Sequence, residues 1–134
     1  MVKVSAEYNG GLRCRVVHGP SGTVVETDAP VDNMGKGERF SPTDLVATAL
    51  ASCILTTMAI VAERDGHSIE GATATAEKEM TTAPRRIGTL TVKITLPASV
   101  PTAYRPKLEA ISHACPVHRS LHPDVKVPVE FQYV

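Results

Sequence analysis

Hydrophobic and polar positions alternate from the first residues of the chain: Val2, Val4 and Ala6 are separated by polar neighbours, and Asn9-Gly10-Gly11 then supplies a turn. Leu12 to His18 and Thr23 to Thr27 continue as short strands joined by Gly19-Pro20-Ser21-Gly22, so the pattern predicts an antiparallel three-stranded meander. Ala29 to Phe40, with Gly35 and Gly37, reads as a loop. At Ser41-Pro42-Thr43-Asp44 the pattern changes to that of a helix. Ser41 suits the N-cap, Pro42 the first helical position, and Asp44 can reach back as in a capping box. The helix is predicted to end near Asp65-Gly66, where glycine tolerates a left-handed turn. It is apolar almost all round, which requires cover on several sides, from a second sheet or a second subunit.

Ile69 to Met80 and Ile87 to Leu96 read as the next pair of strands, the second with Leu90, Val92, Ile94 and Leu96 on one face. Tyr104 to Ala114 is predicted as a short amphipathic helix, with Leu108, Ile111 and Cys115 recurring at spacings of three and four. Val125, Val127, Val129, Phe131 and Tyr133 form the inner face of a last strand. The order βββ-α-ββ-α-β predicts an α+β fold in a single domain over residues 1–134, without internal repeats.

Composition narrows the function classes. Fourteen basic and fourteen acidic side chains cancel, so no global field draws the chain to nucleic acid or to an anionic membrane. The few aromatics (Phe40, Phe131, Tyr8, Tyr104, Tyr133) argue against base-stacking surfaces. MVKVSAEYNG has no apolar leader, which predicts a cytoplasmic protein. Leu45 to Ala62 runs eighteen residues without a charge, close to the length of a membrane span. Four hydroxyl residues inside it, and no basic cluster at either end, favour a buried core helix instead. Three widely spaced cysteines do not make a secreted disulfide framework.

Those cysteines are the candidate chemistry. Cys53 lies three turns into the apolar helix, where it is either a small core hydrophobe or a reactive thiol. Mid-helix it cannot use the N-terminal dipole, so reactivity requires a cation from elsewhere. Cys115 stands between a helix end and Pro116, which suits the first position of a new helical turn. Backbone N–H groups there can stabilise a thiolate, and a buried capping residue is the alternative. His113, His118 and His122 near Cys115 raise two further readings, a metal site and a Cys-His hydrolase pair with His118 as base. Cys14 reads as a packed strand residue facing away from Arg13 and Arg15, and those two arginines share the face that could present a cation.

The segment Phe40-Ser41-Pro42-Thr43-Asp44-Leu45, leading through Ala51-Ser52 to Cys53, with Cys115-Pro116-Val117 some sixty residues later, resembles the OsmC/Ohr superfamily of osmotically inducible and organic hydroperoxide resistance proteins. The resemblance is to an OsmC-like member outside the two best-known branches. It implies an intertwined homodimer, with antiparallel sheets around a buried central helix and active sites at the interface. It also implies a thiol peroxidase without cofactor or metal. Cys53 would attack the peroxide, Cys115 would resolve the sulfenic acid as a disulfide, and an external dithiol would reduce it. In the Ohr branch an arginine from the first hairpin, held by a glutamate at the start of the central helix, activates the first cysteine. Arg13 is the corresponding candidate here, ahead of Arg15, while Arg39 belongs to the region where OsmC-branch proteins carry an arginine. The glutamate position falls on Thr43, and the acidic residue is Asp44, one later. Nine residues set Asp44 about 180° from Cys53 around a regular helix. Asp44 is therefore either the arginine's anchor or a plain helix cap. A dimeric, non-catalytic domain that binds a small apolar ligand is the competing reading.

Overall fold

Turn chemistry sets the element boundaries. A computed structural model describes residues 1–134, which divide into two compact units, Met1–Val46 and Ala47–Val134.

In the first unit, β1 (Val4–Tyr8), β2 (Arg13–His18) and β3 (Val24–Asp28) form an antiparallel sheet in the order β1-β2-β3, the meander predicted from the alternation. The turn between β1 and β2 places Gly10, Gly11 and Leu12 consecutively at positive φ. Glycine takes that conformation without steric cost. Leu12 is held there by hydrogen bonds at both ends: its N–H donates to the Tyr8 hydroxyl at 3.4 Å, and its carbonyl accepts the Ala29 N–H at 3.0 Å. The predicted loop after β3 contains one 3-10 turn, Val31–Asn33.

The long helix α1 (Pro42–Arg64) starts as its sequence predicts. The Asp44 N–H donates to the Ser41 hydroxyl at 3.0 Å, and the Ser41 N–H donates to the Asp44 carboxylate at 2.8 Å. Two otherwise orphaned N–H groups are thereby satisfied. At its other end Gly66 takes φ +80° and the His67 N–H returns to the Ala62 carbonyl at 2.8 Å, which closes the last turn.

In the second unit, β4 (Thr73–Thr82) and β5 (Arg85–Leu96) form an antiparallel hairpin, and β6 (Val129–Tyr133) joins β5 in parallel. A parallel neighbour needs a crossover. It is supplied by α2 (Arg105–Ile111), which 3-10 turns at Thr102–Tyr104 and Ser112–Ala114 flank, and by α3 (Pro116–Ser120). The last strand begins later than the Val125 predicted. Pro128 has no N–H to give, and only single contacts precede it, such as the Lys126 N–H to the Gly88 carbonyl at 3.0 Å. Buried residues of α1 (Ala47, Leu50, Ile54, Met58, Ala62) recur every three or four positions, and with Leu90, Val92, Ile94, Leu96, Val100 and Leu108 they make the core. Only this stripe of α1 is fully buried; Ser52, Thr56 and Ile60, on its other side, are exposed.

Candidate functional site: a thiol pair and an anchored arginine

Cys53 lies three turns into α1, half-buried, beside the buried positions Leu50 and Ile54. Its Sγ is 4.0 Å from the Thr57 hydroxyl one turn later. Cys115 is fully buried and is the N-cap of α3, with extended backbone (φ −69°, ψ 141°) and Pro116 in the first helical position. Its Sγ accepts the His118 N–H at 3.2 Å, and its carbonyl accepts the Arg119 N–H at 3.1 Å. The capping geometry anticipated for Cys115 is present, with sulfur in the place that a hydroxyl oxygen usually takes.

The second unit brings these two thiols together. Burial pushes the Cys115 thiol pKa up, the His118 N–H pulls it back, and the neighbouring Cys53 thiol raises it again. Both cysteines are free. Two neighbouring thiols, one half-buried and the other buried, can pass two electrons to an oxidant and close a disulfide. His118 also carries the one buried side-chain nitrogen or oxygen that lacks a hydrogen-bond partner, its Nδ1. The ring of His113, itself exposed, lies 5.8 Å from that of His118.

In the first unit, Arg13 forks onto Asp28: Nε donates to Oδ1 at 2.6 Å and Nη2 to Oδ2 at 2.9 Å. Such bidentate geometry is the strongest form of this pair. Asp28 is only 1% exposed, and its carboxylate also accepts the Glu38 N–H at 3.1 Å. The Arg13 guanidinium holds the Asp28 carboxyl below the usual carboxylate range, and Asp28 in turn raises the pKa of Arg13. Glu38 stands 3.6 Å from Arg13 Nη2 on the exposed side. An apolar recess of about 280 Å³ adjoins the pair, with Tyr8, Leu12, Cys14, Asp28 and Pro42 in its walls.

Of the two readings open for Asp44, the helix cap is the one the geometry bears out. The carboxylate that holds Arg13 is Asp28, at the end of β3, and not Asp44, whose Oδ2 takes the Ser41 N–H in the capping box. Counting outward from the Pro20-Ser21 turn pairs Arg13 with Asp28 in the β2–β3 register, which is the signal that finds it. Arg15 is exposed, opposite Glu26, and Arg39 pairs loosely with the same Glu26 at 3.5 Å. Cys14 is half-buried in β2. No three His, Cys, Asp or Glu side chains converge as a metal site would require.

The chain is similar to several known proteins. Residues 35–130 match the family described as OsmC-like protein. Among solved structures, a protein of Psychrobacter arcticus 273-4, provisionally described as an osmotic stress induced and detoxification response protein, is 40% identical, with a TM-score of 0.92 over 98% of this chain and 96% of that one. An organic hydroperoxide resistance protein OsmC from Legionella pneumophila, described as a predicted redox protein and regulator of sulfide bond formation, shares the fold at 22% identity. Its TM-score is 0.74, over 98% of this chain and 96% of that one. The organic hydroperoxide resistance protein OhrB of Bacillus subtilis does so at 18% identity, with a TM-score of 0.70 over 98% of both chains. No curated protein matched the chain.

Proposed function

The chain belongs to the OsmC-like protein family, and from that premise we propose that it is a thiol-dependent peroxidase acting on organic hydroperoxides and hydrogen peroxide. The observation that carries this reading is that Cys53 is close enough to the buried Cys115 to perturb its thiol. In the first step the Cys53 thiolate attacks the distal peroxide oxygen. The O–O bond breaks, an S–O bond forms, and the alkoxide or hydroxide leaves as alcohol or water after taking a proton. In the second step Cys115 attacks the sulfenic sulfur; an S–S bond forms, the S–O bond breaks, and water leaves. An external dithiol then reduces the disulfide and closes the cycle.

An ordinary thiol is mostly protonated near neutral pH, so the first step needs a cation for Cys53. We assign that role to Arg13, with Asp28 as its positioning residue. The fork onto a buried carboxylate supports this, because it fixes the guanidinium in one orientation. The working unit of this proposal is a homodimer. Val4, Tyr8, Val24, Val25 and Phe40 are all exposed in the single chain, which favours a second copy as their cover.

The apolar recess beside Cys14 is the observation that favours the competing reading, a non-catalytic domain that binds a small apolar ligand. Two variants separate them. In the peroxidase, Cys53→Ser consumes no peroxide, while Cys115→Ser consumes one equivalent and stops at a sulfenic acid that a carbon nucleophile traps on Cys53. A binding domain leaves both variants, and the unmodified chain, unreactive towards the first equivalent of peroxide.

A further inference from the structure

We infer that His118 is the proton carrier of the resolving step, its imidazole taking the Cys115 thiol proton and returning it to the oxygen that leaves Cys53. The inference rests on the peroxidase reading and deepens it. The sulfenic acid and the thiol become a disulfide and one water molecule. Cys115 is oxidised, the Cys53 sulfur is reduced, and the thiol proton must end on the departing oxygen. Cys115 is fully buried, with its pKa raised by burial, so at neutral pH it meets the sulfenic acid as a neutral thiol. At the Cys115 end that transfer starts from a sulfur that bulk water does not reach.

The neighbouring base is His118. His118 is tied to the Cys115 sulfur through its own main-chain N–H at 3.2 Å, so its imidazole hangs from the residue that already touches the reacting atom. A change of side-chain rotamer is the motion by which a ring nitrogen would come to the thiol. Its Nδ1 is the one buried side-chain polar atom without a partner, and a buried group left unpaired calls for an explanation. A vacant acceptor waiting for a thiol proton is such an explanation. Imidazole is also suited to the task, because one ring nitrogen can take up a proton while the other gives one up. The exposed His113 ring, 5.8 Å from that of His118, marks the solvent side of the pair.

Rapid mixing of the reduced protein with an organic hydroperoxide, following Cys53 sulfenic acid and the disulfide as separate steps, tests this. His118→Asn and His118→Gln are expected to oxidise Cys53 at the unmodified rate but to close the disulfide roughly ten- to a hundredfold more slowly. On the unmodified protein, heavy water should slow the closing step, and that slowing should shrink in the variants. A merely structural role for His118 leaves the solvent effect unaltered. Closing at the unmodified rate in both variants overturns the inference and leaves the peroxidase intact, as does a closing step indifferent to heavy water. A Cys53 that no peroxide oxidises overturns the peroxidase reading first and this inference with it.

Discussion

Arg13 and Asp28 face each other across the β2–β3 hairpin, and Arg13 donates two hydrogen bonds, of 2.6 and 2.9 Å, to the carboxylate, with the Asp28 side chain buried and that of Arg13 29% exposed. A pair of this kind positions a charge more than it stabilises a sheet. The buried partner fixes the fork, and the exposed part of the guanidinium keeps its charge available to a third group.

Replacing Arg13 by Ala should slow the oxidation of Cys53 by roughly tenfold or more, the effect of about one pKa unit on thiolate supply. Arg13→Lys keeps the charge but not the fork and should recover only part of the rate. Asp28→Asn should fall between the two, because it leaves the arginine charged but unanchored. Stopped-flow oxidation of each variant checks the order, and equal rates in all three would mean that another cation serves Cys53.

The same pair gives a pH dependence. The folded state lowers the Asp28 pKa, chiefly through Arg13, and lowers that of Asp65 through Lys107 and Tyr104. A depressed carboxyl pKa contributes stability that is complete above the unfolded value of about 3.9 and is lost as pH falls through the lower folded value. Denaturation midpoints should therefore be level from neutrality down to about pH 5 and fall steeply below about pH 4. Asp28→Asn should flatten part of that fall. A midpoint that falls as steeply in Asp28→Asn contradicts the assignment.

Cys115 should be the slowest of the three cysteines to alkylate in the native, reduced protein. It is fully buried, and burial raises its pKa, whereas Cys14 and Cys53 are half-buried. Its labelling should quicken as pH rises towards the raised value, each unit below that value costing about tenfold in thiolate. Peptide mapping after timed labelling reads this directly; a Cys115 that labels first would mean that the turn before α3 opens readily.

At the start of α1, Ser41→Ala removes the hydroxyl that accepts the Asp44 N–H, and should cost about 1 kcal/mol, a few degrees in melting temperature. Asp44→Asn should cost less and leave Cys53 oxidation unchanged, since Asp44 serves the cap and not the arginine. A variant that melts normally but oxidises slowly would return Asp44 to the reactive site.

Much of this was legible in the residues, for reasons that differ by element. Ser41-Pro42-Thr43-Asp44 marks a helix start because capping is local chemistry, and the structure keeps it to the residue. The alternation of β5 reveals its buried face, but a strand's pattern is the same whichever way it runs. The parallel pairing of β6 with β5 therefore emerged only in three dimensions. Asp28 was passed over because its importance is a matter of register: nothing in Thr27-Asp28-Ala29 announces that Arg13 lies opposite. Cys53 and Cys115 are neighbours although about sixty positions separate them, and spacing along the chain could not show that.

On the proposed reading Cys53 and Cys115 form one redox couple. Its most direct test adds one equivalent of an organic hydroperoxide, and in parallel one of hydrogen peroxide, to the reduced protein, and maps disulfides by mass spectrometry after quenching in acid. The account predicts one Cys53–Cys115 bridge per chain, formed with loss of the peroxide, while Cys14 stays free. Recovery of Cys53 and Cys115 as free thiols with the peroxide unconsumed would contradict it.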